Sequence, residues 1–127
     1  MITPFDLRAQ VDLDVVTRLI DFYLAAGVQG FFANCLSSEM YSISESERLE
    51  LTQHIVRYVD GRVPVVATGS FGFTIEDKVD FTKRIYNTGV NAVRLSTDHY
   101  AKRDEGDDVW LRNFKKMLRL TDNVPLG

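Results

Sequence analysis

A chain of 127 residues with 45% apolar and 26% charged side chains can bury one core and is too ordinary in composition to be a disordered segment. Its formal charge of −3, with the two signs interspersed, offers no basic face to nucleic acid or to an anionic membrane surface. A single cysteine, Cys35, excludes an internal disulfide framework.

Met1 to Phe5 reads as a short strand stopping at Thr3-Pro4. Asp12 is placed to cap a helix running to about Ala26, with Val15, Val16, Leu19, Ile20, Tyr23 and Leu24 at helical spacing and Gly27 closing it. Val28 to Ala33 is the next strand. It breaks into the small polar residues Asn34 to Ser38 and an acid, Glu39, which is expected to hold the loop by accepting backbone N–H groups. Ser44-Glu45-Ser46-Glu47 is a capping box opening a helix with Leu49, Thr52, Ile55, Val56 and Val59 inward, and Asp60-Gly61 ends it. Val63 to Ala67 is a strand ending in Thr68-Gly69-Ser70. Thr74 to Asp77 caps a helix carrying Ile75, Val79, Phe81, Ile85 and Tyr86. Val90 to Leu95 is a strand ending in Ser96-Thr97. A charged loop, Lys102 to Asp108, leads to a helix with Val109, Trp110, Leu111, Phe114, Met117 and Leu118. Val124 to Gly127 looks like a strand that has only begun.

The order is a repeat. Strands opening at Gly27-Val28, Arg62-Val63 and Gly89-Val90 each follow a helix, and every strand end is small and polar. Such βα units of about thirty residues imply parallel strands with right-handed crossovers. Four units and the start of a fifth are half of a (βα)8 barrel of about 250 residues, and an open doubly wound sheet satisfies the same pattern. Arg94, a charge within a strand, points either to a ligand-facing or water-filled location or to an ion pair with a loop carboxylate. Two features near the strand ends have bland explanations. Cys35 has no histidine beside it in sequence and reads as an inert small residue, and the acidic run Asp104 to Asp108 reads as a solvated helix start with no metal.

Four stretches, in order, carry a family likeness. They are Thr3-Pro4-Phe5; Cys35-Leu36-Ser37-Ser38-Glu39 followed by Ile43-Ser44-x-x-Glu47-Arg48; Gly61-Arg62-Val63-Pro64-Val65 leading to Thr68-Gly69-Ser70; and Asp98-His99-Tyr100. On these the chain resembles the N-terminal half of the dihydrodipicolinate synthase and N-acetylneuraminate lyase family, class I aldolases on a TIM barrel. The resemblance implies an α/β half-barrel in which residues 1–127 are the N-terminal part of one domain. It also implies a carbon–carbon lyase or aldolase that takes pyruvate or another 2-oxo acid as a Schiff base, needs no cofactor, and assembles as a homo-oligomer.

Carried over by position, Leu36 and Ser37 bind the substrate carboxylate, Ser37 supplies a proton-relay hydroxyl, and Tyr100 is a helper tyrosine of the kind that reaches into a neighbouring subunit. This sequence departs from the pattern at Cys35 and Ser38, where the family has glycine, and at Leu36, where it has a hydroxyl residue. The family's Schiff-base lysine and fifth-strand tyrosine would fall beyond Gly127. Lys78, Lys83, Lys115 and Lys116 fall on predicted helices and Lys102 in a loop, so the 127-residue chain alone is expected to be inactive.

Two rival readings remain at this level. One is a non-catalytic half-barrel that binds a small anion or associates with another chain. The other is an independent flavodoxin-like domain, for which no Gly-rich phosphate loop is present. The one cysteine fits a reducing cytoplasm. The start of the chain has neither the basic nor the apolar stretch of a signal peptide, and no run approaches membrane-spanning length. A soluble cytoplasmic protein is expected, with a small 2-oxo acid as its partner and neither nucleic acid nor membrane.

Overall fold

The computed structural model describes all 127 residues. Four helices, α1 (Leu13–Ala25), α2 (Glu45–Val59), α3 (Ile75–Tyr86) and α4 (Asp107–Leu120), alternate with three strands, β1 (Phe31–Ala33), β2 (Val65–Thr68) and β3 (Ala92–Arg94). No helix is long and apolar enough to cross a membrane.

The helix starts follow local chemistry. The Asp12 carboxylate accepts the Val15 N–H at 2.9 Å. Ser44 and Glu47 form the expected reciprocal box, with the Glu47 N–H donating to the Ser44 hydroxyl at 3.3 Å and the Ser44 N–H donating to the Glu47 carboxylate at 2.7 Å. Thr74 and Asp77 repeat the device on α3, at 3.1 and 2.9 Å. Helix α4 begins at Gly106 with no side-chain cap, and Asp107 and Asp108 in its first turn face the positive end of the helix dipole.

All three strands are parallel and lie in the order β1-β2-β3, with Phe32 level with Val66 and Ala92, and Thr68 level with Arg94. Leu126 forms a parallel bridge to Val93, and the Leu95 N–H donates to the Gly127 carbonyl at 2.8 Å, so a further strand begins beside β3. Sequence order and spatial order therefore coincide. A doubly wound sheet would reverse direction at its switch point.

The helices also lie in sequence, α1 on α2, α2 on α3 and α3 on α4, along one face of the sheet. Phe31, Ala33, Val65, Ala67 and Val93 point into that helical layer and are buried with Ile20, Leu51, Ile55, Phe81 and Ile85. Each such large side chain contributes about 1.5–3 kcal/mol by leaving water. The alternate residues Phe32, Val66 and Ala92 are only half-buried and Arg94 is exposed, so no helix layer covers that part of the other face, although Thr68 at its end is buried.

Four expectations need correction. Met1 to Phe5 forms no strand: Phe5 makes only an isolated antiparallel bridge to Val11, while the N-terminal amine donates to the Phe32 carbonyl at 3.4 Å. The inward stripe of α2 is Leu51, Thr52, Ile55 and Val59, and Leu49 and Val56 sit half-buried at its margins. On α4 only Met117 is fully buried, packed with Val79 of α3, Leu95 and Tyr100, while Trp110 and Phe114 are half-buried. Glu39 does not brace its loop through its carboxylate. It sits at φ 54° as the left-handed cap of a turn, and its amide donates to the Leu36 carbonyl.

One glycine is dictated by packing. A Cβ on Gly69 would stand 2.3 Å from Val93 Cγ1 and 2.8 Å from Thr82 Oγ1. The end of β2 therefore passes β3 and α3 too closely for any side chain.

Candidate active site

The polar residues after each strand converge at one end of the sheet, where the β1–α2, β2–α3 and β3–α4 loops meet. After β1, Asn34 turns at φ 51° and sends its amide to α2, donating to the Thr52 hydroxyl at 2.8 Å and the Arg48 carbonyl at 3.1 Å. Leu36–Ser38 then form a single 3-10 turn. Ser38 closes it: its hydroxyl donates to the Cys35 carbonyl at 2.9 Å and accepts the Cys35 N–H at 2.8 Å. The Thr3 hydroxyl ties the turn to the N-terminal segment by donating to the Ser38 carbonyl at 2.8 Å. The turn's own hydrogen bonds use the amides of Cys35, Ser38 and Glu39, and those of Leu36 and Ser37 stand outside them.

Leu36 projects into solvent, 74% exposed, and Ser37 is exposed beside it with its hydroxyl 3.1 Å from Cys35 Sγ. Burial pushes the buried Cys35 thiol up. The hydroxyls of Ser37 and Ser38, with the positive N-terminus, pull it back and leave it below its ordinary value.

Tyr100 is 1% exposed and packs edge-on against Trp110 and Phe114 within its own chain. Its hydroxyl meets Ser70 Oγ at 3.4 Å, and Ser70 Oγ also accepts the Ser96 N–H at 2.8 Å. Burial raises the phenol's pKa and the Ser70 bond only partly offsets it, so Tyr100 is a neutral hydroxyl at pH 7. The structure joins Tyr100 to Ser70; no hydrogen bond joins it to Ser37. Ser70 is thus a member of this constellation that position-by-position matching left out, although the polar strand end Thr68-Gly69-Ser70 marked its neighbourhood.

His99 lies between two loops, with Nδ1 3.2 Å from the Ser70 carbonyl and Nε2 3.2 Å from the Tyr41 hydroxyl. It borders a cleft of about 490 Å³ lined by Tyr41, Glu45, Arg48, Ser70, Phe71, Gly72, Phe73, Lys78 and His99. Phe71 is buried there under the Arg48 guanidinium, 4.0 Å from its ring centroid, and Phe73 is fully exposed.

Lys78 differs from its sequence reading, for it is a buried amine, 5% exposed. Burial depresses its pKa against the opposing pull of Asp77. Its Nζ donates to the carbonyls of Gly72 and Phe73 at 2.9 and 3.1 Å, bonds that favour the ammonium form and hold the β2–α3 loop. Nucleophilic attack needs the free lone pair, so this lysine is built as a clamp. No three His, Cys, Asp or Glu side chains converge to form a metal site.

Consecutive parallel βα units define an α/β protein, and its polar loops gather at the C-terminal edge of the sheet. The sequence profile of the dihydrodipicolinate synthetase family matches residues 1–123, and the chain belongs to that family. The 4-hydroxy-tetrahydrodipicolinate synthase of Bacillus subtilis (strain 168) is 36% identical over 102 residues, covering 80% of this chain and 35% of that protein. A dihydrodipicolinate synthase crystal structure from Bacillus anthracis superposes with a TM-score of 0.82 at 26% identity, over 99% of this chain and 42% of that one. A chloride-inhibited dihydrodipicolinate synthase from Acinetobacter baumannii, complexed with pyruvate, has the same fold, with a TM-score of 0.86 at 21% identity over 99% and 42% of the two chains. The chain thus spans less than half the length of these relatives.

Proposed function

We propose that residues 1–127 are the first four βα units, and the start of the fifth strand, of a (βα)8 aldolase that adds or releases pyruvate, or a related 2-oxo acid, as a Schiff base. The observation that carries this reading is the coincidence of sequence order and spatial order, with every helix on one face and a new strand beginning at Leu126. Pyruvate in a solved relative of the same fold supports the choice of ligand.

In this reading the amides of Leu36 and Ser37 and the Ser37 hydroxyl receive the substrate carboxylate, since an anion is best held by several converging donors. Leu36 contributes only its backbone there. Tyr100, kept neutral by burial, passes a proton through Ser70. The reactive amine belongs to sequence outside these residues, because the one buried lysine, Lys78, is occupied as a clamp. The open sheet face is covered by further strands of the same barrel, and the assembled enzyme is a cytoplasmic homo-oligomer. A second reading, a non-catalytic half-barrel binding a small anion, draws on the replacement of family residues by Cys35, Leu36 and Ser38 in the carboxylate turn.

Borohydride reduction in the presence of pyruvate tests the assignment. The 127-residue chain is expected to gain no covalent adduct by intact mass. A stoichiometric adduct would overturn the placement of the nucleophile, and mapping it to Lys78 would overturn the clamp.

A further inference from the structure

Arg94 ends β3 on the open face of the sheet, and its side chain is exposed there. The ion-pair alternative raised by the sequence does not occur: the ion pairs of lysine and arginine join Arg84 to Glu45 and Asp80, and Lys116 to Glu76. The guanidinium instead lies 3.3 Å from the Ser96 hydroxyl and 5.9 Å from the centroid of the Phe32 ring.

Phe32 belongs to β1, two strands away, a backbone separation of roughly 10 Å. The guanidinium therefore leans across β2 toward the middle of β1. Directly level with Arg94 on β2 stands Thr68, on the same side of the sheet as Val66. Thr68 is 1% exposed and its hydroxyl has no hydrogen-bond partner. Polar groups buried this completely are rarely left unpaired. Its register neighbour on β3 is Arg94, a cation with no carboxylate partner.

We propose that Arg94, with the hydroxyls of Ser96 and Thr68, forms a carboxylate subsite on the open face, separate from the Leu36–Ser37 turn. It receives a second carboxylate of the acid substrate and so favours dicarboxylates over monocarboxylates. The planar guanidinium matches a carboxylate in a two-bond fork, and the flanking hydroxyls supply further donors. The subsite rests on the proposed 2-oxo acid chemistry for its biological substrate, but its own binding is separately measurable.

The test is a titration of the isotopically labelled 127-residue chain with succinate, pyruvate or inorganic phosphate, following the Arg94 Nε–H resonance and the amides of Leu36 and Ser37 by NMR. Succinate is expected to move the Arg94 resonance, and Arg94→Gln to weaken succinate binding about tenfold, with Arg94→Lys intermediate because it keeps the charge and loses the fork. Thr68→Val, which removes the orphaned hydroxyl at nearly constant volume, is expected to leave the chain at least as stable while weakening succinate about threefold. Succinate affinity unchanged in Arg94→Gln overturns the subsite. So does phosphate or pyruvate matching succinate at the Arg94 resonance. Pyruvate moving the Leu36 and Ser37 amides while Arg94 ignores succinate overturns the subsite and leaves the parent reading standing. The reverse pattern supports the subsite and sinks the parent reading.

Discussion

The two faces of this sheet are built from the same three strands yet differ in state. On the helical side, Phe31, Val65, Ala67 and Val93 close against α2 and α3 and are at most 5% exposed. On the other side, Phe32, Val66 and Ala92 remain half in water beside an exposed arginine. A parallel sheet is normally covered on both faces. The first face is a finished core, and the second is not. The difference shows why apolar residues on one strand do not carry equal weight: the energy depends on which side of the pleat has a partner.

Substitutions on the two faces should separate sharply. Phe81→Ala, which empties a fully buried site under Phe71 and the strands, is expected to cost about 3–5 kcal/mol in urea unfolding. A cost below that of a typical surface change would mean that the helical face is not the core.

A smaller effect is expected at the helix caps that frame the site. Ser44→Ala should cost about 1 kcal/mol by the same measurement. The Ser44 hydroxyl and amide hold the Glu47 carboxyl below the usual carboxylate range, and the Thr74 amide and hydroxyl do the same for Asp77. Folded pKa values below the unfolded ones add stability that is complete above the unfolded carboxylate range. It is lost as pH falls through the folded values. Part of that acid-side loss should vanish in Ser44→Ala.

The smallest effect on stability is expected at Phe32→Ser, within about 0.5 kcal/mol of the parent, since no layer packs over that ring. Its signature is elsewhere. Self-association by sedimentation should weaken, because the substitution breaks up an exposed apolar strip. A loss as large as that of Phe81→Ala would show that the open face is already closed.

Much of the architecture was legible in the chain because its signals are local. The caps at Asp12, Ser44 and Thr74, the polar strand ends and the repeating βα period each arise from neighbours within a few residues. The carboxylate role of Leu36 and Ser37 came instead from the family resemblance, and the structure leaves both residues exposed. Met1 to Phe5 misled because strand identity needs a partner, and a β-branched, apolar start supplies none by itself. Lys78 misled in the opposite sense. A charged residue on a helix reads as solvated, and only the return of the β2–α3 loop over it supplies two carbonyls for its ammonium.

By itself, the sequence determined the four helices and their order with the β1, β2 and β3 strands, the helix caps at Asp12, Ser44 and Thr74, and the family to which the chain belongs. Only the tertiary structure decided that the strands lie in consecutive order with one face open, that Tyr100 turns inward to Ser70, and that Arg94, with no carboxylate partner, stands level with the buried Thr68. The physical reason is range. Caps and periodicity are fixed by hydrogen bonds and side-chain spacing a few residues apart. Strand order and unpaired groups depend on contacts between residues 26 to 35 positions distant, such as Ser96 with Ser70 and Thr3 with Ser38, which no local pattern encodes.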